Sequence, residues 1–182
     1  MNYDLPTTVT LRGEKWAIRS DFRAILDICT ALTDPNLTNE EKGITTLCIF
    51  YEDCDDLPQG LYEDAIKECF KFINVGEEEN GRKSPKLMDW EQDFMYIIAA
   101  INKVVGAEIR AVPYLHWWTF VSAYYEIGDC TFAQIVRIRS ELAKGKKLSD
   151  FDRQWYREHK DLVDIKTSYS DAEQDILKTW GA

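Results

Sequence analysis

Two histidines, His116 and His159, are the side chains that could act as the base in nucleophilic catalysis. A serine or cysteine nucleophile needs such a base beside it, and a third group that orients the base. His116 lies within a stretch rich in tryptophan and tyrosine, which favours a hydrogen-bonded core imidazole. His159 is flanked by charged residues, and we expect it to face solvent. Since no GxSxG motif precedes either histidine, the sequence predicts no catalytic triad and a protein that is not an enzyme.

Two groups of carboxylates have the residue type, but not the spacing, that hydrolysis or calcium binding requires. Glu91 and Asp93 are two residues apart, so on a helix they point to different sides and do not form an acid–base pair. Asp53, Asp55 and Asp56 resemble a fragment of a calcium loop, but the later glycine and glutamate of an EF-hand are not at the required spacing. A solvated acidic turn is the better interpretation of this segment.

The common motifs for cofactors and metals are also missing from the sequence. The basic run KGKK at 144–147 lacks the upstream GxxxxG of a phosphate-binding loop. The five cysteines are odd in number and include no CxxC pair, so a structural zinc site is not expected. We interpret them as reduced thiols that mostly act as small apolar groups: Cys29, Cys48, Cys54, Cys69 and Cys130. No cofactor and no metal ion is therefore predicted.

The net charge of −10 is concentrated in one segment of the chain. Residues 34–80 hold 13 acidic and three basic side chains, whereas the rest of the chain holds 19 of each sign. This segment would repel a phosphate backbone, so nucleic-acid binding is not expected. Residues 1–6 lack the parts of a secretory signal, and the apolar run at 113–127 is too short to span a bilayer. We therefore expect a soluble protein, with no membrane contact, that stays where it is made.

The elements that must position these residues form a mainly α fold: a helical bundle of about eight helices with a short N-terminal β-hairpin. The hairpin pairs residues 9–11 with residues 16–18 across a loop that contains Gly13. Capping residues followed by apolar residues at helical spacing predict the helices. The predicted caps are Ser20 or Asp21, Thr38 with Glu41, Asp89, Thr131, Ser149 with Asp152, and Ser170 with Glu173, and Gly106 is predicted to end the helix that Asp89 caps.

A polar segment at 76–88 divides the predicted helices into two halves. It contains Asn-Gly and Ser-Pro breakers and too few apolar residues for a buried element. The N-terminal half, 1–75, combines the hairpin with an acidic group of three helices, and the C-terminal half, 89–182, forms an aromatic helical core. Within it, a helix over 114–127 is apolar on nearly every side, which predicts that it lies at the centre of the fold.

Adjacent tryptophans in this central helix indicate recognition of another protein. Trp117 and Trp118 lie about 100° apart on a helix, so both cannot face the same neighbour. One indole can fill the core while the other reaches a second element or a partner. Five aromatic side chains are the candidate interface residues: Trp90, Trp117, Trp118, Tyr125 and Trp155.

Several motifs follow one another in an order that resembles a known family. They are DWEQD at 89–93, AAIN at 99–102, YLHWWTF at 114–120, IVRIRS at 135–140 and KGKKL at 144–148. The chain resembles a family of small acidic proteins from siphophages and prophages of Gram-positive bacteria, whose members are generally taken to be tail assembly chaperones. SDFR at 20–23 and EEK at 40–42 extend the resemblance over nearly the whole chain. The resemblance supplies no catalytic residues.

The resemblance implies that the protein binds the tape-measure protein in the cytoplasm of the bacterial host during tail morphogenesis. The major tail protein and a second copy of this chain are further candidate partners. Three alternatives stay open: a structural tail component retained in the virion, an acidic DNA mimic, and an enzyme with an unfamiliar site. The sequence does not decide the oligomeric state, the existence of a longer frameshifted product, or the surface that binds the partner.

Overall fold

The computed structural model describes residues 4–76 and 85–166, and within them the fold is mainly α-helical, as predicted. The two strands are β1 (Thr8–Leu11) and β2 (Glu14–Ala17). The eight helices are α1 (Phe22–Thr33), α2 (Asn39–Phe50), α3 (Tyr62–Ile73), α4 (Phe94–Val105), α5 (Trp117–Tyr125), α6 (Thr131–Ala143), α7 (Asp150–Glu158) and α8 (Lys160–Val163). Two short 3₁₀ turns, Cys54–Asp56 and Gln59–Leu61, lie between α2 and α3. The cap predicted at Ser170 and most of the polar loop predicted at 76–88 lie outside the described residues.

The described chain divides into two compact units. The first unit contains residues 4–76 together with Tyr114–Trp118, and the second contains residues 85–113 and 119–166. Helix α5 contributes its first two residues to the first unit and the rest to the second. The boundaries inferred from the polar loop stay a prediction, to which the structure adds that Tyr114–Trp118 packs with the first unit.

In the first unit, β1 and β2 form an antiparallel hairpin with a two-residue turn. Val9 pairs with Trp16 and Leu11 pairs with Glu14, which leaves Arg12 and Gly13 as the turn. Both turn residues have positive φ angles, 47° and 93°, as in the hairpin turns whose twist matches that of the flanking strands. The hairpin is confirmed, but its turn is two residues shorter than the loop expected from the sequence.

Helices α1, α2 and α3 bury the core of the first unit. Asp21 accepts the backbone N–H of Arg23 at the start of α1, and Thr38 and Glu41 form the predicted capping box at the start of α2. Side chains with almost no exposed surface include Phe22, Ile25, Ile28, Leu47, Phe50 and Tyr51. Burying each large apolar side chain contributes about 1.5–3 kcal/mol, so this cluster is the main source of stability for the unit.

The segment Tyr114–Trp118 is where the structure departs most from the sequence-based prediction. Residues 114–116 do not begin a helix; they run beside the residues that precede α1. Asp21 and His116 form an antiparallel bridge, and the backbone N–H of Trp117 donates to the carbonyl of Ser20 at 2.7 Å. These bonds join positions far apart in the sequence, and local apolar periodicity carries no information about them.

Helix α5 has one buried face, so it is not covered on every side as a helix at the centre of the fold would be. Trp117, Phe120 and Ala123 are buried at a spacing of three residues, whereas Tyr125 is 78% exposed. The apolar run at 114–127 therefore combines an extended segment, a one-sided helix and an exposed aromatic end.

In the second unit, a buried ion pair joins α6 to the residues around α4 and α8. The side chains of Arg139 on α6 and Asp93, just before α4, are 5% and 1% exposed. Two guanidinium nitrogens of Arg139 donate to the Asp93 carboxylate at 2.5 and 3.0 Å. Its other N–H groups donate to the carbonyl oxygens of Leu87, Leu162 and Val163. All five donors are satisfied, as a charge buried this deeply requires.

The helix ends in the second unit follow local signals with small shifts. Asp89 caps a turn, because its side chain accepts the backbone N–H groups two and three residues further on, and α4 begins only after that turn. Gly106, with a φ angle of 74°, ends α4 as predicted. The cap of α6 is Cys130 and not Thr131, since the Cys130 sulfur accepts the backbone N–H of Ala133.

Candidate functional site

Hydrogen bonds within the fold engage both histidines. His116 is 3% exposed, and its Nδ1 accepts the backbone N–H of Trp118 at 3.0 Å. The ring proton is therefore on Nε2, which donates to the carbonyl oxygen of Pro6 at 2.9 Å. His159 stacks on Trp155 with 4.3 Å between ring centroids, and its Nδ1 lies 3.0 Å from the Trp155 carbonyl oxygen. Both ring nitrogens of His116 are therefore engaged in hydrogen bonds, one to the start of α5 and one to the chain before β1.

Trp117 and Trp118 cap the C-terminal end of α3. The indole N–H of Trp117 donates to the carbonyl of Ile73, and that of Trp118 donates to the carbonyl of Phe72, both at 2.9 Å. The last carbonyl groups of a helix lack partners within it. The indole of Trp117 supplies one to Ile73, and that of Trp118 adds a second donor to the Phe72 carbonyl, which also accepts the Val75 backbone N–H at 3.0 Å. Trp117 is 3% exposed and belongs to the core. Trp118 is half-buried and lines an open hollow of about 380 Å³ with residues of β1 and α3.

The other three candidate interface residues lie in the second unit. Trp90 is half-buried, with its ring centroid 6.2 Å from that of Phe120 and 6.0 Å from that of Tyr124. Trp155 is half-buried in its stack with His159. Tyr125 is the most exposed of the candidates, and its ring contacts that of Tyr124 at 5.8 Å. Trp90 and Tyr125 are thus connected through Tyr124; contact of the five residues with a partner stays a prediction.

An open groove of about 410 Å³ lies beside α6 in the second unit, and we call it the α6 groove. Its lining residues are Leu87, Tyr124, Tyr125, Ile127, Phe132, Ala133, Val136, Arg137, Ser140 and Glu141. A neighbouring hollow of about 390 Å³ shares Ala133 and Arg137 with the groove, and Phe151 also lines it. Phe151 is 70% exposed. The surface around α6 therefore presents two exposed aromatic rings, Tyr125 and Phe151, above apolar side chains.

The polar edge of the α6 groove is held in place by an ion pair. Two guanidinium nitrogens of Arg137 donate to the two carboxylate oxygens of Asp152, both at 2.7 Å, and the Ser149 hydroxyl donates to the same carboxylate at 2.8 Å. These bonds, chiefly those from Arg137, lower the pKa of Asp152. A fixed cation beside an apolar floor can orient a partner by a polar contact while the floor supplies the contact area.

The candidate list from the sequence omitted Phe151, although its position held a signal. Helix α7 buries Asp152, and the adjacent side chain on a helix is turned about 100° away. A buried Asp152 therefore turns Phe151 away from the core. The sequence shows the neighbouring positions on the helix but not the burial of Asp152, because carboxylates are seldom buried unless they are paired.

Neither a metal cluster nor a membrane-spanning helix is found in the part of the chain that the structure describes. Residues 4–76 and 85–166 contain no group of three His, Cys, Asp or Glu side chains suited to hold a metal ion. Over the same ranges, no helix is both long and apolar enough to cross a membrane.

The α6 groove offers apolar area and a polar edge, the features with which proteins bind amphipathic helices.

The fold and the α6 groove define a class of protein: small, acidic and mainly helical, with a groove lined by aromatic side chains. The chain belongs to the bacteriophage Gp15 protein family, whose model matches residues 1–165. The phage family membership expected from the motifs is thereby confirmed. Comparisons with curated proteins and with solved structures gave no significant match.

Proposed function

We propose that this protein is a non-catalytic tail assembly chaperone that binds the tape-measure protein of the phage. The observation that carries the proposal is the α6 groove, an open apolar surface flanked by the exposed rings of Tyr125 and Phe151. Exposed aromatic rings beside an apolar floor are typical of protein-binding surfaces. Binding would take place in the host cytoplasm, before the tail is complete.

The dimensions of α6 suit one amphipathic helix of the partner. Its 13 residues span about 20 Å, which matches a helical segment with apolar anchors at positions i, i+3 or i+4, and i+7. The acidic excess in residues 34–80 would keep such a complex soluble, because net charge opposes association between copies. The structure does not name the partner; the tape-measure protein is proposed because the sequence motifs resemble those of tail assembly chaperones.

Binding of a soluble tape-measure segment by alanine variants of the groove tests this proposal. We expect Tyr125→Ala and Phe151→Ala each to weaken binding about 30-fold, since truncating a central aromatic anchor costs about 2 kcal/mol or more. Met95→Ala is the matched control, because Met95 is 60% exposed on α4 in the same unit but lines neither the groove nor the neighbouring hollow that Phe151 lines. Equal affinities for all three variants would contradict binding at the α6 groove.

The amount of this protein in purified virions distinguishes a chaperone from a structural tail component. A chaperone leaves the complex as the tail tube encloses the tape-measure protein, so purified virions should contain little of it. A stoichiometric amount of this protein in purified virions would instead indicate a component that stays in the particle.

A further inference from the structure

Cys48 and Cys54 face each other at the end of α2. Their Sγ atoms are 2.6 Å apart. Cys48 is exposed in the last turn of α2, and Cys54, half-buried, begins the 3₁₀ turn Cys54–Asp56. Cys48 is thus an exception among cysteines that were expected mostly to act as small apolar groups.

Arg19 fixes the chain that connects the two thiols. Its Nη1 donates to the carbonyl oxygens of Cys48, Ile49 and Tyr51 at 2.8, 3.0 and 2.6 Å. Its Nη2 donates to the carbonyl of Glu52 at 3.2 Å. The guanidinium thus satisfies carbonyl groups at the C-terminal end of α2 that lack helical partners. With the intervening backbone tied down, the two sulfur atoms are held close to each other.

The other cysteines are less suited to reaction with a reagent in solution. Burial raises the pKa of Cys29 to about 11, and burial and the proximity of Cys29 raise the pKa of Cys69. Both thiols therefore stay protonated and shielded, and the thiolate is the nucleophilic form. Burial and the hydrogen bond with Cys48 also raise the pKa of Cys54 to about 12, so Cys48 and not Cys54 makes the first attack. The Cys130 sulfur accepts a backbone N–H at the start of α6. Cys48 is the exposed thiol among the five.

We propose that Cys48 and Cys54 form a dithiol site that small disulfide compounds convert to an intrachain disulfide. The Cys48 thiolate attacks one sulfur of the reagent, the reagent S–S bond breaks, and one reagent thiolate leaves and takes up a proton. Cys54 then gives its proton to solvent, its sulfur attacks Cys48 Sγ, and the second reagent thiolate leaves. The protein loses two protons and two electrons, and the reagent disulfide takes them up to become two thiols.

The charges around the site define the class of reagent. The four acidic residues that neighbour the two cysteines in the sequence, Glu52, Asp53, Asp55 and Asp56, are exposed and outnumber the cation at the site, Arg19. An anionic disulfide is repelled by them and a cationic one is attracted, most strongly at low ionic strength. Cystamine, which is cationic, should therefore react faster than glutathione disulfide, which is anionic.

The test treats the full chain, in its native state, with cystamine and follows the intact mass and the cross-linked peptides. The expected product is lighter by about 2 Da, two hydrogens, with Cys48 joined to Cys54. In Cys54→Ser the reaction should stop at a stable mixed disulfide on Cys48, whereas the control Cys130→Ser should still form the link. A stable mixed disulfide on Cys48 of the unaltered protein, or a link between other cysteines, would overturn the proposal. Equal rates with cystamine and glutathione disulfide at low salt would contradict the reagent class.

Discussion

Replacing Arg139 by alanine should destabilise the second unit far more than replacing Arg137, its neighbour two positions earlier on α6. The side chain of Arg139 is 5% exposed and that of its partner Asp93 is 1% exposed, whereas Arg137 is 55% exposed. Without the guanidinium, the buried Asp93 carboxylate keeps the bond from the backbone N–H of Asp89 at 2.9 Å but loses its counter-charge. The carbonyl oxygens of Leu87 and Val163 lose the Arg139 donor, and that of Leu162 keeps only the bond from the Gln92 side chain at 3.4 Å.

The size of the effect follows from the burial of the pair. Removing one partner of a buried ion pair costs about 3–5 kcal/mol, a large part of the roughly 5–15 kcal/mol that stabilises a whole domain. Truncating Arg137 should cost less, about 1 kcal/mol, because solvent screens its 55% exposed side chain and the Ser149 hydroxyl still donates to the buried Asp152 carboxylate. With a urea dependence of about 2 kcal/mol per molar, Arg139→Ala should lower the unfolding midpoint by about 2 M.

Urea unfolding, followed by tryptophan fluorescence and by circular dichroism, measures the unfolding midpoint of each variant. Replacing both partners by apolar residues, Arg139→Met with Asp93→Leu, should cost less than the sum of the two single replacements, because no unpaired charge remains buried. A midpoint for Arg139→Ala equal to that of Arg137→Ala would refute the conclusion that the buried pair holds the second unit together.

Two further predictions concern the edge of the groove and the cap of α3. Because the folded state lowers the pKa of Asp152, this carboxyl adds stability that is present above its unfolded pKa of about 3.9 and lost as pH falls through the folded pKa. In Asp152→Asn, the free energy of unfolding should therefore fall less steeply as the pH is lowered from about 5 to about 2. Urea titrations at several pH values measure this dependence, and the same pH dependence as in the unaltered protein would contradict the prediction. Trp118→Phe removes the indole bond to the Phe72 carbonyl, which keeps the bond from the Val75 backbone N–H at 3.0 Å. The loss should cost about 1 kcal/mol, lowering Tm by about 2–4 °C in a calorimetric scan. A variant that melts with the unaltered protein would show that this bond contributes nothing.

Helix ends were predictable from the sequence because capping is a local interaction. Asp21, the Thr38–Glu41 pair and Gly106 act on residues within one turn of themselves, so a short window contains the whole signal. The mainly helical class followed for a similar reason, since apolar residues at helical spacing mark the buried faces.

Long-range pairing explains most of what the sequence did not reveal. The extended segment before α5 depends on the bridge between Asp21 and His116, whose formation no local pattern encodes. Arg139 was not singled out because a charged residue is usually solvated, although its place among Ile135 and Ile138 on the buried face of α6 was a usable signal. Tyr125 was named as a candidate from the sequence, but the groove beside it depends on how α6 packs with Leu87 and Tyr124.

Binding at the α6 groove is tested most directly by hydroxyl-radical footprinting of the protein with and without a tape-measure segment. Tyr125 and Phe151 are 78% and 70% exposed, so both rings should be oxidised readily in the free protein. When the segment binds, labelling of these two rings should fall sharply, while labelling of Met95 on α4 should stay the same. Unchanged labelling of Tyr125 and Phe151 in a complex that has demonstrably formed would contradict binding at this groove.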